Sequence, residues 1–322
     1  GLYVWRTDPG VTFDAQPQAP MTTDGTDRPG FRPGHFVVNL AARGLIGLAL
    51  MLPYRLRLWF TGWLMRRVVG PVAGYRARAL ANLALVWPDM PLSRRRKIAD
   101  AALDNAGRTL IENYSSRDFL SRMRSVVPTG PGLAALATAR EQGRPVILVS
   151  GHFGNYEAAR AALVARGFAI GGLYRDLSNR YFNAHYVRTM QAFGGPVFPQ
   201  GRSGTAGFVR HLKSGGQLVL LFDQHIASAP TLPFLGHPAR TAFSAAELAL
   251  RLGADLVPFF ATRQPDGISF HVDLEAPIPH SDPETMMLAL TRALEDRVIA
   301  DPGQWFWVHR RWKLKGKKDR RV

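Results

Sequence analysis

The sequence predicts an α/β domain, a mostly parallel central sheet flanked by helices, preceded by N-terminal membrane-associated helices. Three observations carry this reading. From about Pro128 onward, short apolar runs alternate with segments of helical periodicity. Before that point arginines are interleaved with apolar runs, and no acid occurs between Arg28 and Pro88. With 322 residues and 46% hydrophobic content, the chain can bury a large core.

The predicted strands are Pro145–Ser150, Ala169–Tyr174, Pro196–Phe198, Gln217–Phe222, Asp255–Thr262 and Ile268–Asp273. They are continuous apolar runs rather than strict alternations, the pattern of parallel strands covered on both faces. Helix candidates fall between them at about 133–141, 155–166, 179–193, 204–214, 242–252 and 283–300. Upstream, residues 76–86 have apolar positions at three- and four-residue spacing and stop at Trp87-Pro88. Ser93 is read as the N-cap of a helix running to about Tyr114. There is no internal repeat.

The N-terminal region sets the character of the surface. Nine arginines (28, 32, 43, 55, 57, 66, 67, 76 and 78) mix with Leu45–Leu52 and Leu58–Met65, which carries Trp59 and Trp63. Arginine among tryptophan and aliphatic residues suits a membrane interface better than a DNA groove. The alternative is a basic surface helix packed on the core. Phe36–Leu52, about 17 residues with Asn39 and Arg43, either spans a bilayer with tilt or lies in its interface. No small-residue cleavage site follows it, so it is not read as a cleaved signal. Residues 1–34, rich in Pro, Gly, Asp and Thr, read as a disordered extension, with Met21 as a candidate start.

The net charge of +17 calls for an anionic partner, and an anionic membrane surface fits better than nucleic acid, for which no motif is present. Absence of cysteine excludes disulfides, thiolate metal sites and cysteine nucleophiles. There is no Gly-x-Ser-x-Gly elbow, no P-loop and no His-Glu-x-x-His. Gly130–Ala135 fits a loose dinucleotide pattern without a strand leading into it. No compact ligand set for zinc is evident, and no cofactor or metal is expected.

Sites in open α/β sheets lie at the carboxyl ends of strands. His152 follows one such end, in Ser150-Gly-His-Phe-Gly-Asn-Tyr-Glu157. If His152 occupies a glycine-permitted turn and Glu157 the first helical turn, the carboxylate can orient one ring nitrogen while the other takes a proton from a substrate hydroxyl. Nine histidines make such a spacing common by chance, so the strand–turn–helix context carries the argument. The structural alternative is a satisfied turn histidine with Glu157 serving the helix dipole. Arg175, after the second strand, either binds a phosphate or developing oxyanion or pairs with Asp176. Asp223 ends the most apolar strand and either serves the site or caps a turn. Gln224 and His225 beside it offer polar contacts. The apolar loop Ala229–Thr241 either lines an acyl-chain groove, touches the membrane or packs on the body. The tryptophans of Gln304–Trp312 are either interfacial or docked on the core.

Taken together, these motifs resemble those of the late acyltransferases of lipid A biosynthesis, the lauroyl and myristoyl transferases. The resemblance runs from about Gly34 to Trp312, through Asn82-Leu83 and the Pro88 turn, the 150–157 box, Tyr174-Arg175, Asp223-Gln224, the Phe234–Thr241 stretch and the Trp-Val-His-Arg-Arg-Trp ending. It implies a glycerol-3-phosphate acyltransferase-like fold and transfer of a fatty acyl chain from acyl carrier protein, or acyl-CoA, to a hydroxyl of a lipid A precursor or similar glycolipid. It implies His152 as general base, Glu157 as its orienting partner, and Arg175, Asp223 and Gln224 as substrate-binding residues, with no metal. Location at the cytoplasmic face of the inner membrane follows from the same resemblance. Under it, the chain divides into an extension at 1–34, a membrane-anchoring helical segment at 35–70 and an acyltransferase domain at 71–322. His225 departs from the bulkier polar residue usual in the family, which leaves the acceptor open: a lysophospholipid, a glycerophosphate or a phosphatidylinositol mannoside is the enzymatic alternative. A non-enzymatic basic membrane-binding protein is the alternative from another class.

Overall fold

The computed structural model describes residues 33–174, 179–199 and 202–313. The extension expected at 1–34 lies almost entirely outside them. Five helices, with a π-helical turn among them, come first: α1 (Pro33–Met51), α2 (Tyr54–Leu64), the π turn at Met65–Val69, α3 (Gly70–Val72), α4 (Tyr75–Val86) and α5 (Leu92–Tyr114). α6 (Ser116–Met123) and α7 (Pro131–Glu141) lead into the sheet domain. There follow β1 (Val146–Ser150), α8 (Tyr156–Val164), β2 (Ile170–Tyr174), α9 (Arg180–Ala192), β3 (Val197–Pro199), α10 (Arg202–Lys213) and β4 (Gln217–Leu221). The chain continues through β5 (Thr231–Phe234), β6 (His237–Arg240), α11 (Ser244–Leu252), β7 (Asp255–Arg263), β8 (Phe270–Leu274) and α12 (Pro283–Ala300), and a 3-10 turn at Pro302–Gln304 precedes the ending.

The sheet has the order β3-β2-β4-β1-β7-β8, all parallel except β8, which runs antiparallel to β7. Each predicted strand is present within two residues of its expected start. β1 is buried along its whole length, as a central parallel strand covered on both faces must be. Two apolar layers enclose the sheet. One holds Ile147, Val149 and Leu218 with α11 and α12, and the other holds Leu148 and Val257 with α7 and α8.

Several local expectations change. α5 starts at Leu92 after Pro91, so Ser93 lies inside its first turn and makes no cap. The apolar loop at 229–241 is a β-hairpin, β5 against β6, in register from Thr231–Arg240 to Phe234–His237. Its apolar side chains Leu232, Phe234 and Ala239 are buried, which explains their number. The aromatic ending is docked on the core: Trp305 and Trp307 are fully buried, and Arg311 is buried too, donating to Arg240 O and Thr241 Oγ1 of the hairpin.

α1 is 19 residues long and apolar enough, by length and composition, to cross a membrane. It leaves Phe36, Val37, Leu40, Leu45, Leu48 and Met51 exposed. Its first turn docks on α9, with Asn179 Nδ2 donating to His35 O at 2.7 Å and Phe36 edge-on to Tyr181. That contact seats the start of α1 on the start of α9. α2 adds exposed Leu56, Trp59 and Trp63 beside it.

Candidate active site

The site is built by register. β1 and β4 are parallel neighbours, with Ser150 opposite Leu221 at their carboxyl ends. Two residues farther along each chain stand His152 and Asp223. Parallel strands that end level therefore deliver a histidine and a carboxylate to the same point, although 71 residues separate them in sequence.

His152 Nδ1 lies 2.7 Å from Asp223 Oδ1, and the His152 backbone N–H donates to Oδ2 at 2.8 Å. The Trp305 indole N–H donates to the same Oδ2 at 2.9 Å. Asp223 is fully buried, so all three contacts act in a low-dielectric setting. Burial alone would raise its carboxyl, but the charge and hydrogen bonds of His152 outweigh that and hold it below the usual carboxylate range. An ionised Asp223 fixes the proton on Nδ1 and leaves Nε2 as the acceptor nitrogen. The His152 side chain is 23% exposed, enough for one ring edge to meet a substrate. The Gln224 amide sits 3.4 Å from Nε2, to which it can donate.

Two glycines make this turn possible. A Cβ at Gly151 would stand 2.6 Å from a Leu294 methyl and 2.9 Å from Asp223 Oδ2. At Gly154 the backbone is left-handed (φ 56°), and a Cβ would stand 1.9 Å from Ala261 O. The C-terminal segment then straps the turn down. Phe306 N donates to His152 O, Gly154 N donates to Gln304 O, and Phe153 forms a bridge with Trp305.

Glu157 does not reach His152. It lies in the first turn of α8, buried, and its Oε2 pairs with Arg160 Nη1 at 3.2 Å. Arg160 in turn donates to Ile170 O and Gly194 O, tying α8 to β2 and to the turn after α9. The carboxylate is instead engaged by Arg160, one turn farther along α8, whose Nε reaches β2. The carboxylate that meets His152 is Asp223. Arg175 lies outside the described residues. The end of its strand, β2, neighbours β4, so the three strand ends named from the sequence are consecutive in the sheet.

His309 was legible only as part of the ending motif, yet its ring packs edge-on against His152 at 4.4 Å between centroids. Asn82 Nδ2 fixes this segment by donating to Trp307 O and His309 O. Burial, then the neighbouring His152, pushes the His309 imidazole down to about 3, and its buried Nε2 has no hydrogen-bond partner among the described residues. His225 is lowered as well, by burial and by Arg311, and its buried Nδ1 has no partner among the described residues. His152, Asp223 and His309 bring potential ligand atoms within 4.8 Å of one another. Both Asp223 oxygens are already engaged by three N–H groups, an arrangement that serves an imidazole–carboxylate pair.

Comparison with known proteins follows the same region of the chain. The family model described as bacterial lipid A biosynthesis acyltransferase matches residues 32–314. The lipid A biosynthesis lauroyltransferase of Escherichia coli (strain K12) is 26% identical over 283 residues, covering 84% of this chain and 90% of that protein. A lipid A biosynthesis acyltransferase of Haemophilus influenzae is 22% identical over 284 residues, covering 86% and 87%. Another from the same organism is 25% identical over 267 residues, covering 79% and 82%.

Proposed function

The chain belongs to the bacterial lipid A biosynthesis acyltransferase family and is an acyltransferase, and from that premise we propose that it moves a fatty acyl group from a thioester of acyl carrier protein, or of CoA, to a hydroxyl of a lipid A precursor, with His152 as general base. The observation that carries the base assignment is the 2.7 Å contact of His152 Nδ1 with buried Asp223, which leaves Nε2 on the exposed edge. The acceptor hydroxyl gives its proton to Nε2 as its oxygen attacks the thioester carbonyl. Collapse of the tetrahedral intermediate breaks the C–S bond, and the imidazolium returns the proton to the leaving thiolate. The products are an ester and a free thiol, with no protein nucleophile.

Asp223 takes the orienting role in this reading, and Gln224, beside Nε2, is proposed to contact the acceptor oxygen. Arg175, one residue past the end of β2, is proposed to bind a phosphate of the acceptor or the oxyanion. α1, with the exposed apolar face of α2, is proposed to hold the enzyme at the cytoplasmic face of the inner membrane, where its arginines meet anionic lipid.

The test is His152→Ala assayed for transfer of labelled acyl chains to under-acylated lipid A. The variant is expected to be folded, membrane-bound and inactive. Near-wild-type transfer would sink the mechanism. Mass spectrometry of lipids from cells lacking the protein checks the acceptor: under-acylated lipid A is expected, and a build-up of lysophospholipid instead would replace this acceptor with a glycerophospholipid.

A further inference from the structure

Beneath the His152 turn lies a second set of buried charges that touches neither Nε2 nor the open edge of the site. Glu112, in the last turn of α5, is fully buried, and Arg263, at the end of β7, nearly so. Their contact is a two-pronged fork, Nη1 to Oε1 at 2.6 Å and Nη2 to Oε2 at 2.8 Å. Each partner reaches on. Arg263 Nε donates to Asn105 Oδ1 at 2.8 Å, and Glu112 Oε2 accepts from Asn155 Nδ2 at 2.8 Å. Asn105 Nδ2 donates to Gly154 O at 3.0 Å. Finally, the backbone of Arg263 and the side chain of Gln304 exchange two hydrogen bonds, Arg263 N to Oε1 at 2.7 Å and Nε2 to Arg263 O at 2.9 Å.

The outputs of this network are specific. Gly154 and Asn155 are the residues that follow His152-Phe153 in the turn. Gln304 precedes Trp305, whose indole holds Asp223, and Phe306, whose N–H holds the His152 carbonyl. One fork thus bears on both members of the His152–Asp223 pair, through the turn and through the C-terminal segment. A buried ion pair is a poor source of net stability, because desolvation consumes most of its attraction and an apolar pair of similar volume often does as well. What such a pair supplies, and an apolar pair does not, is fixed direction: every donor and acceptor in it points one way. A displacement on the order of 1 Å at a reacting group costs up to about 100-fold in rate.

We propose that Glu112 and Arg263, acting through Asn105 and Gln304, are positioning residues for acyl transfer: they set the His152–Asp223 geometry and touch no substrate. The inference rests on the reading of His152 as the base.

The experiment compares full-length wild type, Glu112→Met/Arg263→Met, Asn105→Ala and His152→Ala in detergent, using labelled acyl-acyl carrier protein as donor and under-acylated lipid A as acceptor. Thermal melting is followed alongside kcat and KM. The double variant exchanges the fork for an apolar pair. It is expected to fold with kcat reduced about 10- to 100-fold per folded enzyme and KM within about twofold of wild type. Asn105→Ala, which leaves the ion pair in place, is expected to lose about tenfold in kcat by the same route, and it carries the test if the double variant does not fold. Wild-type kcat in either folded variant overturns the positioning role, as does a loss that appears only in KM. Full activity in His152→Ala overturns the underlying reading instead, so the two failures are distinguishable.

Discussion

The ring of His152 is held by a carboxylate that lies 71 residues away in sequence and one strand away in space: Asp223 Oδ1 sits 2.7 Å from Nδ1. The contact predicts the behaviour of Asp223→Asn. The amide keeps the shape and the hydrogen bond from Trp305 but removes the charge that selects the Nδ1–H tautomer. Transfer by Asp223→Asn is expected to fall by about 10³-fold or more, with the fold retained. Kinetics on the purified variant check it, and a loss under tenfold means that Asp223 does not orient the base.

The sequence locates both residues without pairing them. Each stands just beyond an apolar run, which is why strand ends at Ser150 and Phe222 could be read at all. Their pairing depends on β1 and β4 being neighbours in a level register, a long-range fact with no local signature. The five-residue spacing to Glu157 is local and therefore visible, but the carboxylate in contact with His152 is Asp223, while Glu157 pairs with Arg160. The hairpin at 231–240 was equally hidden: two prolines, at 233 and 238, lie within its short strands and read as loop. His309 and the indole of Trp305 act through tertiary placement alone, and their polar atoms are silent in a run of aromatic residues.

Glu157 yields a prediction of a different kind. Removing it in Glu157→Ala strands Arg160, which is 1% exposed, as a buried cation. A stability loss of about 3–5 kcal/mol is expected, read as a lowered midpoint in denaturant or heat. Glu157→Gln/Arg160→Met, which removes both charges, is expected to recover most of it. If Glu157→Ala melts like wild type, the pair has no structural role.

Acid should expose His309. Its ordinary value is 6.5 and burial takes it to about 3 in the folded protein, so between these values the unfolded chain binds a proton that the folded chain does not. Stability is therefore full above about pH 6.5 and is lost as the pH falls toward 3. Asp223 has the same sign but acts lower, because its depressed carboxyl contributes above the ordinary value of 3.8 and loses that contribution as the pH falls below it. His309→Gln is expected to flatten the stability profile between pH 6.5 and 4, where Asp223 has little effect. Melts across that range check it, and an unchanged slope shows that His309 is not the group concerned.

The turn itself is testable at Gly154. A methyl there meets Ala261 O at 1.9 Å in a left-handed conformation, so neither the backbone nor β7 can relax independently. Gly154→Ala is expected to lose transfer by more than about 100-fold through displacement of His152, with a lowered melting temperature. A folded variant with wild-type kcat would show that the turn tolerates movement.

Leu48 separates the two placements of α1. It is 66% exposed near the end of the helix, and the body of the protein does not cover it. If α1 spans the bilayer, an aspartate near the helix centre costs about 2.5–3.5 kcal/mol, while at an interface the same carboxylate can reach water and costs far less. Leu45 lies closer to the middle of α1 than Leu48. A spanning helix therefore predicts a steep gradient, with Leu45→Asp releasing more protein from anionic vesicles than Leu48→Asp. An interfacial helix predicts instead that the loss follows the face rather than the depth, so that Leu48→Asp and Trp59→Asp act alike although they sit on different helices. Vesicle flotation of the three variants decides between these outcomes, and wild-type flotation by all three would remove both helices from the membrane contact.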